Sequence, residues 1–469
     1  MTQDLEAGLA AMARAAEAAE AYRREIATAE TTPVASYRQM LEAFDGPLPE
    51  TPGDAEAIIA ELVERATPGI RASTGPRFFG WVIGNSHPTG VAADWLVSAW
   101  GQNVGNLQAA PAASAIEAVA AQWLLEILDL PREASVGFVT GATVANFVCL
   151  AAARSEVLRR VGWDVEADGL IGAPPVRVLI GADAHATVFS GLKYLGLGAK
   201  RVVTVETDEL GRMIPAAFER ALSSGEGPAI VIAQSGQINT GASDPFAEIA
   251  PMAKAAGAWL HVDGAFGLWA RACPPRAAAL DGIELADSWA TDGHKQLQTP
   301  YDSGFAIVRD AEAHRRAMAI SASYLPPPQG ADRDPSAYVP ELSRRGRGVP
   351  AWAMLRQFGR GGVAAMVDQC CAVAEAMAGA LAVAPGVELL APVAFNQVIV
   401  RFGDDDAATL ATVERVQADA VAFIGASQWR GQWVMRISVS SSATTLAEGE
   451  TTVAAVLAAW AAVKVEIPG

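Results

Sequence analysis

Apolar positions recur along this chain in two patterns. Within Ser114–Leu128 they fall at Ile116, Val119, Ala120, Trp123, Leu124 and Ile127, a stripe of period 3.6 that predicts a helix with one buried face. Pro131 ends it. From Val136 to Val308 the pattern changes, and short apolar runs alternate with helical stretches. Val136–Val139 precedes Val144–Arg160, Val176–Ile180 precedes Ala186–Leu195, Arg201–Val205 precedes Ile214–Ser223, and Ala229–Ala233 precedes Phe246–Ala256. Trp259–Val262, Ser288–Asp292 and Tyr301–Val308 complete the series. Short apolar runs bounded by turn residues read as buried strands, and their alternation with helices predicts the sheet of a doubly wound α/β fold.

The ends of the chain read differently. Asp4–Thr28 and Asp54–Ala66 flank a Pro-rich break at Gly46–Gly53, so residues 1–70 are expected to form a helical arm. Residues 71–365 are assigned to a large domain and residues 366–469 to a small one. The small domain reads as strand Val398–Phe402, helix Ala407–Phe423, strand Trp433–Val439 and helix Leu446–Val463. Between them residues 311–350 form a loop with its own rigidity, carrying Tyr324, Pro326–Pro328, Gly330 and Pro340.

Composition narrows the function classes. A length of 469 residues exceeds one core and implies more than one domain. The net charge of −17 lacks the basic field that a nucleic-acid surface needs. Trp95–Ile116 and Ala134–Ala153 carry no charge, but Gln102, Asn103, Pro111, Gly137 and Asn146 make neither a plausible lipid-facing helix, and no membrane partner is expected. Acidic residues within Met1–Glu20 argue against a signal peptide. Four cysteines have neither zinc spacing nor disulfide density, so no metal site and a reduced, cytoplasmic protein are expected.

The candidate chemistry gathers at predicted strand ends, where open parallel sheets place ligands. Asp263 ends the Trp259 run, and Lys295, one of only five lysines, follows the Ser288–Asp292 run. An aspartate for a pyridinium nitrogen and a lysine for an aldehyde are the pair that pyridoxal 5'-phosphate (PLP) requires. A structural aspartate and a surface lysine are the bland alternative. Thr140–Thr143, between a strand and a helix, is either a phosphate-binding helix start or a tight turn capped by Thr143. His185 either stacks on a flat ligand or caps the next helix. Ser235–Gly241 ends a further strand. A dinucleotide-binding oxidoreductase would need a glycine fingerprint that Thr140–Asn146 lacks.

Taken in order, Thr140–Thr143, His185, Gly236 to Asp244, His261-Val262-Asp263-Gly264-Ala265, His294-Lys295 and Leu342–Arg347 resemble the PLP-dependent group II amino-acid decarboxylases. The resemblance implies a fold-type-I enzyme: a mainly parallel seven-stranded sheet, a small C-terminal α/β domain, and a homodimer with shared active sites. It implies that Lys295 joins the cofactor aldehyde, Asp263 keeps the ring nitrogen protonated, Ala265 packs under the ring and His185 stacks over it. Ala142, Thr143 and His294 would hold the phosphate. Tyr324 would return a proton after carbon dioxide leaves. Trp81, Val82, Gly84, Asn85 and Gln102 would line the substrate pocket, with Ile238 near the reacting carboxylate. The implied reaction is decarboxylation of an L-amino acid to its amine. Aldehyde synthesis, carbon–carbon lysis and transamination are alternatives on the same scaffold.

Four departures from the family pattern stand out. Gly236-Gln237-Ile238 replaces Gly-Thr-Thr, Gly264 replaces an alanine, Gln296 replaces a tryptophan, and Asp292-Gly293 replaces Asn-Pro. Because an aspartate beside a phosphate is unfavourable, Asp292 is expected to point away or to carry a proton. Gln237 and Ile238 are both expected to set substrate choice.

Overall fold

The computed structural model describes residues 2–320 and 332–466. Seven strands build the large sheet: β1 (Ser135–Val139), β2 (Arg177–Gly181), β3 (Val203–Val205), β4 (Ala229–Gln234), β5 (Trp259–Asp263), β6 (Ser288–Asp292) and β7 (Gly304–Val308). Their order is β1-β7-β6-β5-β4-β2-β3. Neighbours from β6 to β3 pair in parallel, whereas β7 runs antiparallel to both β1 and β6. The sheet is therefore the mainly parallel one that the resemblance implied.

The near-continuous apolar runs are explained by burial on both faces. Along β4, Val231 and Ala233 join the core that holds Phe138, Leu260 and Phe305. Ile230 and Ile232 join the opposite core with Val148, Leu150 and Trp259. Each such valine, leucine, isoleucine or phenylalanine contributes about 1.5–3 kcal/mol by leaving water. The parallel strands all direct their carboxyl ends to one edge, which carries Gly181, Gln234, Asp263 and Asp292, and there Asp292 meets the start of helix Ala142–Arg159.

The second sheet, in the C-terminal part, holds β8 (Val387–Leu389), β9 (Gln397–Phe402), β10 (Gly425–Trp429) and β11 (Gln432–Ser438), all antiparallel in the order β10-β11-β9-β8. The sequence reading had neither β8 nor β10, both only partly buried and without a long apolar run. It also carried one helix through to Phe423, but the helix stops at Ala418. Ala420 turns left-handed with φ 54°, and Phe423 instead pairs its backbone with Arg77 and Phe79. That pairing ties the small sheet's entry to the segment carrying Trp81 and Val82. Helix Gly348–Ala382 runs across the assigned boundary at 365–366 and bends at Gly359.

The arm contains helices Thr2–Glu25, Tyr37–Phe44 and Ala55–Ala66. The middle one was not anticipated, although Ser36 and Gln39 form a capping box that the sequence spells out.

Candidate active site

Asp263 ends β5, held in register between Gln234 of β4 and Ala290 of β6. Burial pushes its carboxyl above the ordinary range, against the opposing pull of His185, Lys295 and Asn146. Ala265 N–H donates to Oδ1 at 3.3 Å. A buried carboxylate with neutral and cationic neighbours is suited to a positively charged partner, such as a protonated ring nitrogen.

Two residues beyond β6, His294 and Lys295 lie in a turn. Lys295 Nζ is 2.9 Å from Asp292 Oδ2, and its side chain is mostly buried. Ala142 N–H, the first donor of helix Ala142–Arg159, gives a 2.6 Å hydrogen bond to Asp292 Oδ1. His294 accepts from Ser303 N–H at Nδ1 (3.2 Å), so its neutral ring presents Nε2–H, 3.5 Å from Asp292 Oδ1. Burial holds this imidazole below its usual range, and Tyr301 stacks on it at 4.2 Å. Asp292 thus does not point away, as one of the two expectations had it. The strand fixes it inward, because Trp269 Nε1–H binds its carbonyl and its own N–H binds Ala265. Gly293 has a steric cause too: a Cβ there would fall 2.5 Å from Ser303 Oγ and 2.8 Å from the Phe305 ring, which leaves no room for proline.

A cleft with about 510 Å³ of empty space, counting its open mouth, is lined by Trp81, Val82, His185, Gln234, Gly236, Ile238, Asp263, Ala265, Phe266 and Lys295. The structure brings these dispersed sequence candidates together on one cavity. His185 caps helix Ala186–Tyr194, its Nδ1 accepting from Thr187 N–H, and its ring also lines the cleft. Burial holds the ring neutral by lowering its pKa. Thr143 follows Ala142 in the first turn of its helix. Trp81 and Val82 sit at φ 54° and 56°, a left-handed backbone that is strained for a β-branched residue and typical of functional sites. Gly84 lies against the lysine itself, since a Cβ would come 2.5 Å from Lys295 Cα and closer still to the His294 carbonyl.

Three expected pocket residues lie elsewhere. Gln237 does not line the cleft: its Oε1 accepts from Asn239 and Thr240 N–H at 2.6 and 3.1 Å, and its amide nitrogen donates to the Asp183 carbonyl at 3.4 Å. Asn85 faces the C-terminal part, donating to Ser441 Oγ at 3.0 Å and accepting Ser86 N–H. Gln102 follows helix Pro88–Trp100, donates to the Trp100 carbonyl at 3.2 Å, and does not line this cleft. Tyr324 lies outside the described residues.

Sequence reasoning missed Phe266 and Asn146. Phe266 walls the cleft 5.9 Å from Lys295 Nζ; its place beside Asp263–Ala265 was the available signal. Asn146 lies behind Asp263, bonded to His261, and only the fold brings its helix there.

These residues fit PLP on three observations. The Ala142 N–H at the head of a helix already holds a carboxylate, Lys295 reaches that same carboxylate, and Lys295 shares an apolar-walled cleft with the buried Asp263. The comparisons agree. The pyridoxal-dependent decarboxylase conserved domain matches residues 38–402. The aromatic-L-amino-acid decarboxylase of Bacillus atrophaeus is 28% identical over 388 residues, covering 80% of this chain and 77% of that protein. The 4-hydroxyphenylacetaldehyde synthase of Rhodiola rosea is 26% identical over 410 residues, covering 83% and 82%. The crystal structure of Oryza sativa TDC with PLP and tryptamine superposes with a TM-score of 0.89 at 23% identity, covering 96% of this chain and 97% of that one. With nearly four-fifths of its length inside the matching domain, the chain belongs to the pyridoxal-dependent decarboxylase family, carboxy-lyases that act on amino acids with PLP.

Proposed function

We propose that this enzyme decarboxylates an L-amino acid with a large apolar or aromatic side chain and releases the amine. One observation carries the reading: Lys295 and Asp263 meet in a cleft whose remaining walls include Trp81, Val82, Ile238 and Phe266. Such walls favour an apolar substrate side chain and offer little to a charged one. When bound, PLP supplies the electron sink into which the Cα–carboxylate bond breaks. The chain's own residues do the rest. Lys295 would anchor the group through its aldehyde, Asp263 would hold a proton on the ring nitrogen, and His185 would stand beside the ring on the cleft wall.

Arg436 is the cation that supports carboxylate recognition. It is buried on β11, no carboxylate of the described residues lies within ion-pair distance, and burial lowers its pKa to about 10. Tyr324 is proposed as the donor of the proton at Cα, on the strength of its residue type and place in the sequence.

The enzyme is further proposed to act as a homodimer. Leu5, Leu9, Met12, Ile58 and Leu62 are at least half-exposed or nearly so on the arm helices, as are Trp95, Leu96 and Trp100 beyond it. So much exposed apolar surface is unusual for a monomer.

The experiment is a competition among amino acids, scored by carbon dioxide release. Tryptophan, tyrosine or phenylalanine should show the highest kcat/KM. A preference for glutamate or a diamino acid would overturn the substrate class.

A further inference from the structure

Asp292 puts a carboxylate where this reading puts a phosphate. Its Oδ1 holds the Ala142 amide at the head of an 18-residue helix, and its Oδ2 is 2.9 Å from Lys295 Nζ. The side chain is 3% exposed, and the backbone is bonded on both sides, so the group has little freedom to leave. In the free chain the Lys295 ammonium balances it.

Cofactor binding removes that balance. The Lys295 nitrogen is committed to the aldehyde, and a phosphate brings at least one further negative charge to the same helix end. The other titratable groups facing Asp292 supply no replacement. His294, stacked under Tyr301, is held neutral by burial, and the Tyr301 phenol is pushed up to about 12. His185 is likewise neutral, and Asp263 is itself an acid. Two unscreened anions at hydrogen-bond distance in a dry site repel strongly.

We propose that Asp292 takes a proton from solvent as the cofactor phosphate binds: Oδ1 keeps the Ala142 amide, and Oδ2–H donates to the phosphate. One proton is gained at Oδ2 for each cofactor bound, and the ion pair of Oδ2 with Lys295 is given up. PLP retention is therefore acid-favoured. The inference rests on the phosphate lying at the start of helix Ala142–Arg159.

The test measures PLP dissociation constants by equilibrium dialysis between pH 6.5 and 8.0 for the full-length protein and for Asp292→Asn. Asp292→Asn also removes the ion partner of Lys295, so the difference between the two slopes is read together with the infrared signal described below. The native protein should lose affinity about tenfold per pH unit faster than the variant. At pH 8.0 the variant should bind at least about tenfold tighter, as the repulsion is gone. Infrared difference spectra of native protein with and without PLP give a second readout that needs no variant: the carbonyl stretch of a neutral carboxyl should appear on loading. Ala142→Pro, tolerated at a first helical position, removes the amide and should weaken PLP at every pH. If Ala142→Pro weakens binding while Asp292→Asn matches the native slope and affinity, the proton on Asp292 is refuted and the phosphate placement stands. If neither variant changes binding, both are refuted.

Discussion

The side-chain oxygen of Asn146 lies 2.9 Å from Nε2 of His261, and this contact sets the direction of a hydrogen-bonded chain behind Asp263. Trp259 Nε1–H donates to Ser288 Oγ at 2.9 Å, and that hydroxyl lies 2.9 Å from His261 Nδ1. With Nδ1 accepting, Nε2–H donates to Asn146, whose amide nitrogen has no other partner and bears on Asp263. Every member is buried, so the chain holds Asn146 behind Asp263 with little freedom. Asn146→Leu keeps the volume but leaves His261 Nε2–H unpaired. It should cost about 1–3 kcal/mol in chemical denaturation and weaken PLP retention, measured by dialysis. Unchanged stability and retention would dissolve the network's role.

Acid should destabilise the protein through its neutral core histidines. Burial lowers both His261 and His314 to about 3. Unfolded histidine titrates near ~6.5, so between roughly pH 6.5 and pH 3 the unfolded chain binds more protons than the folded one. Stability is therefore full above that window and falls as pH drops through it, by up to about 1.4 kcal/mol per pH unit for each histidine. Urea midpoints at pH 7.5, 6 and 5 check this, with His314→Gln expected to remove one histidine's share. Equal slopes in both proteins would contradict it.

Gly84→Ala should injure the site and spare the core. The new Cβ would meet the backbone of His294 and Lys295, so the lysine must shift. A displacement of this kind in a catalytic group costs on the order of 10²-fold in rate. Carbon dioxide release should fall by that order while the far-ultraviolet circular dichroism spectrum stays native. A variant with native turnover would show that the segment yields freely.

Tyr324→Phe separates two fates of the substrate carbon. The change keeps the ring and removes only the proton donor. Carbon dioxide loss should persist, amine should drop sharply, and oxygen uptake with aldehyde and ammonia should rise. An unchanged amine yield would end the proton-donor assignment.

Much of this was legible because the signals were local and repetitive. Six of the seven large-sheet strands left short apolar runs because both faces of the sheet are covered there, and β3 at the edge, with Thr204 exposed, left one as well. Asp263 and Lys295 stood out by residue type at strand ends. What stayed hidden depended on contacts distant in sequence. β8 and β10 are half-buried edge strands without a long apolar signal. Gln237 looked like a pocket residue until its carboxamide was found capping Asn239 and Thr240. Asp292 could be read as unfavourable, but only the backbone bonds to Trp269 and Ala265 fix its direction. Asn146 is an unremarkable helical polar residue until the helix crosses β5.

The central claim is amine-forming decarboxylation at the Lys295–Asp263 cleft, and product stoichiometry tests it most directly. The PLP-loaded enzyme is given each of the twenty amino acids, and carbon dioxide, amine, aldehyde, ammonia and oxygen uptake are measured together. The account predicts that at least one large apolar amino acid yields carbon dioxide and amine in equal amounts without oxygen uptake, and that Lys295→Ala abolishes both. Carbon dioxide matched by aldehyde and ammonia, or none released from any of the twenty, would contradict it.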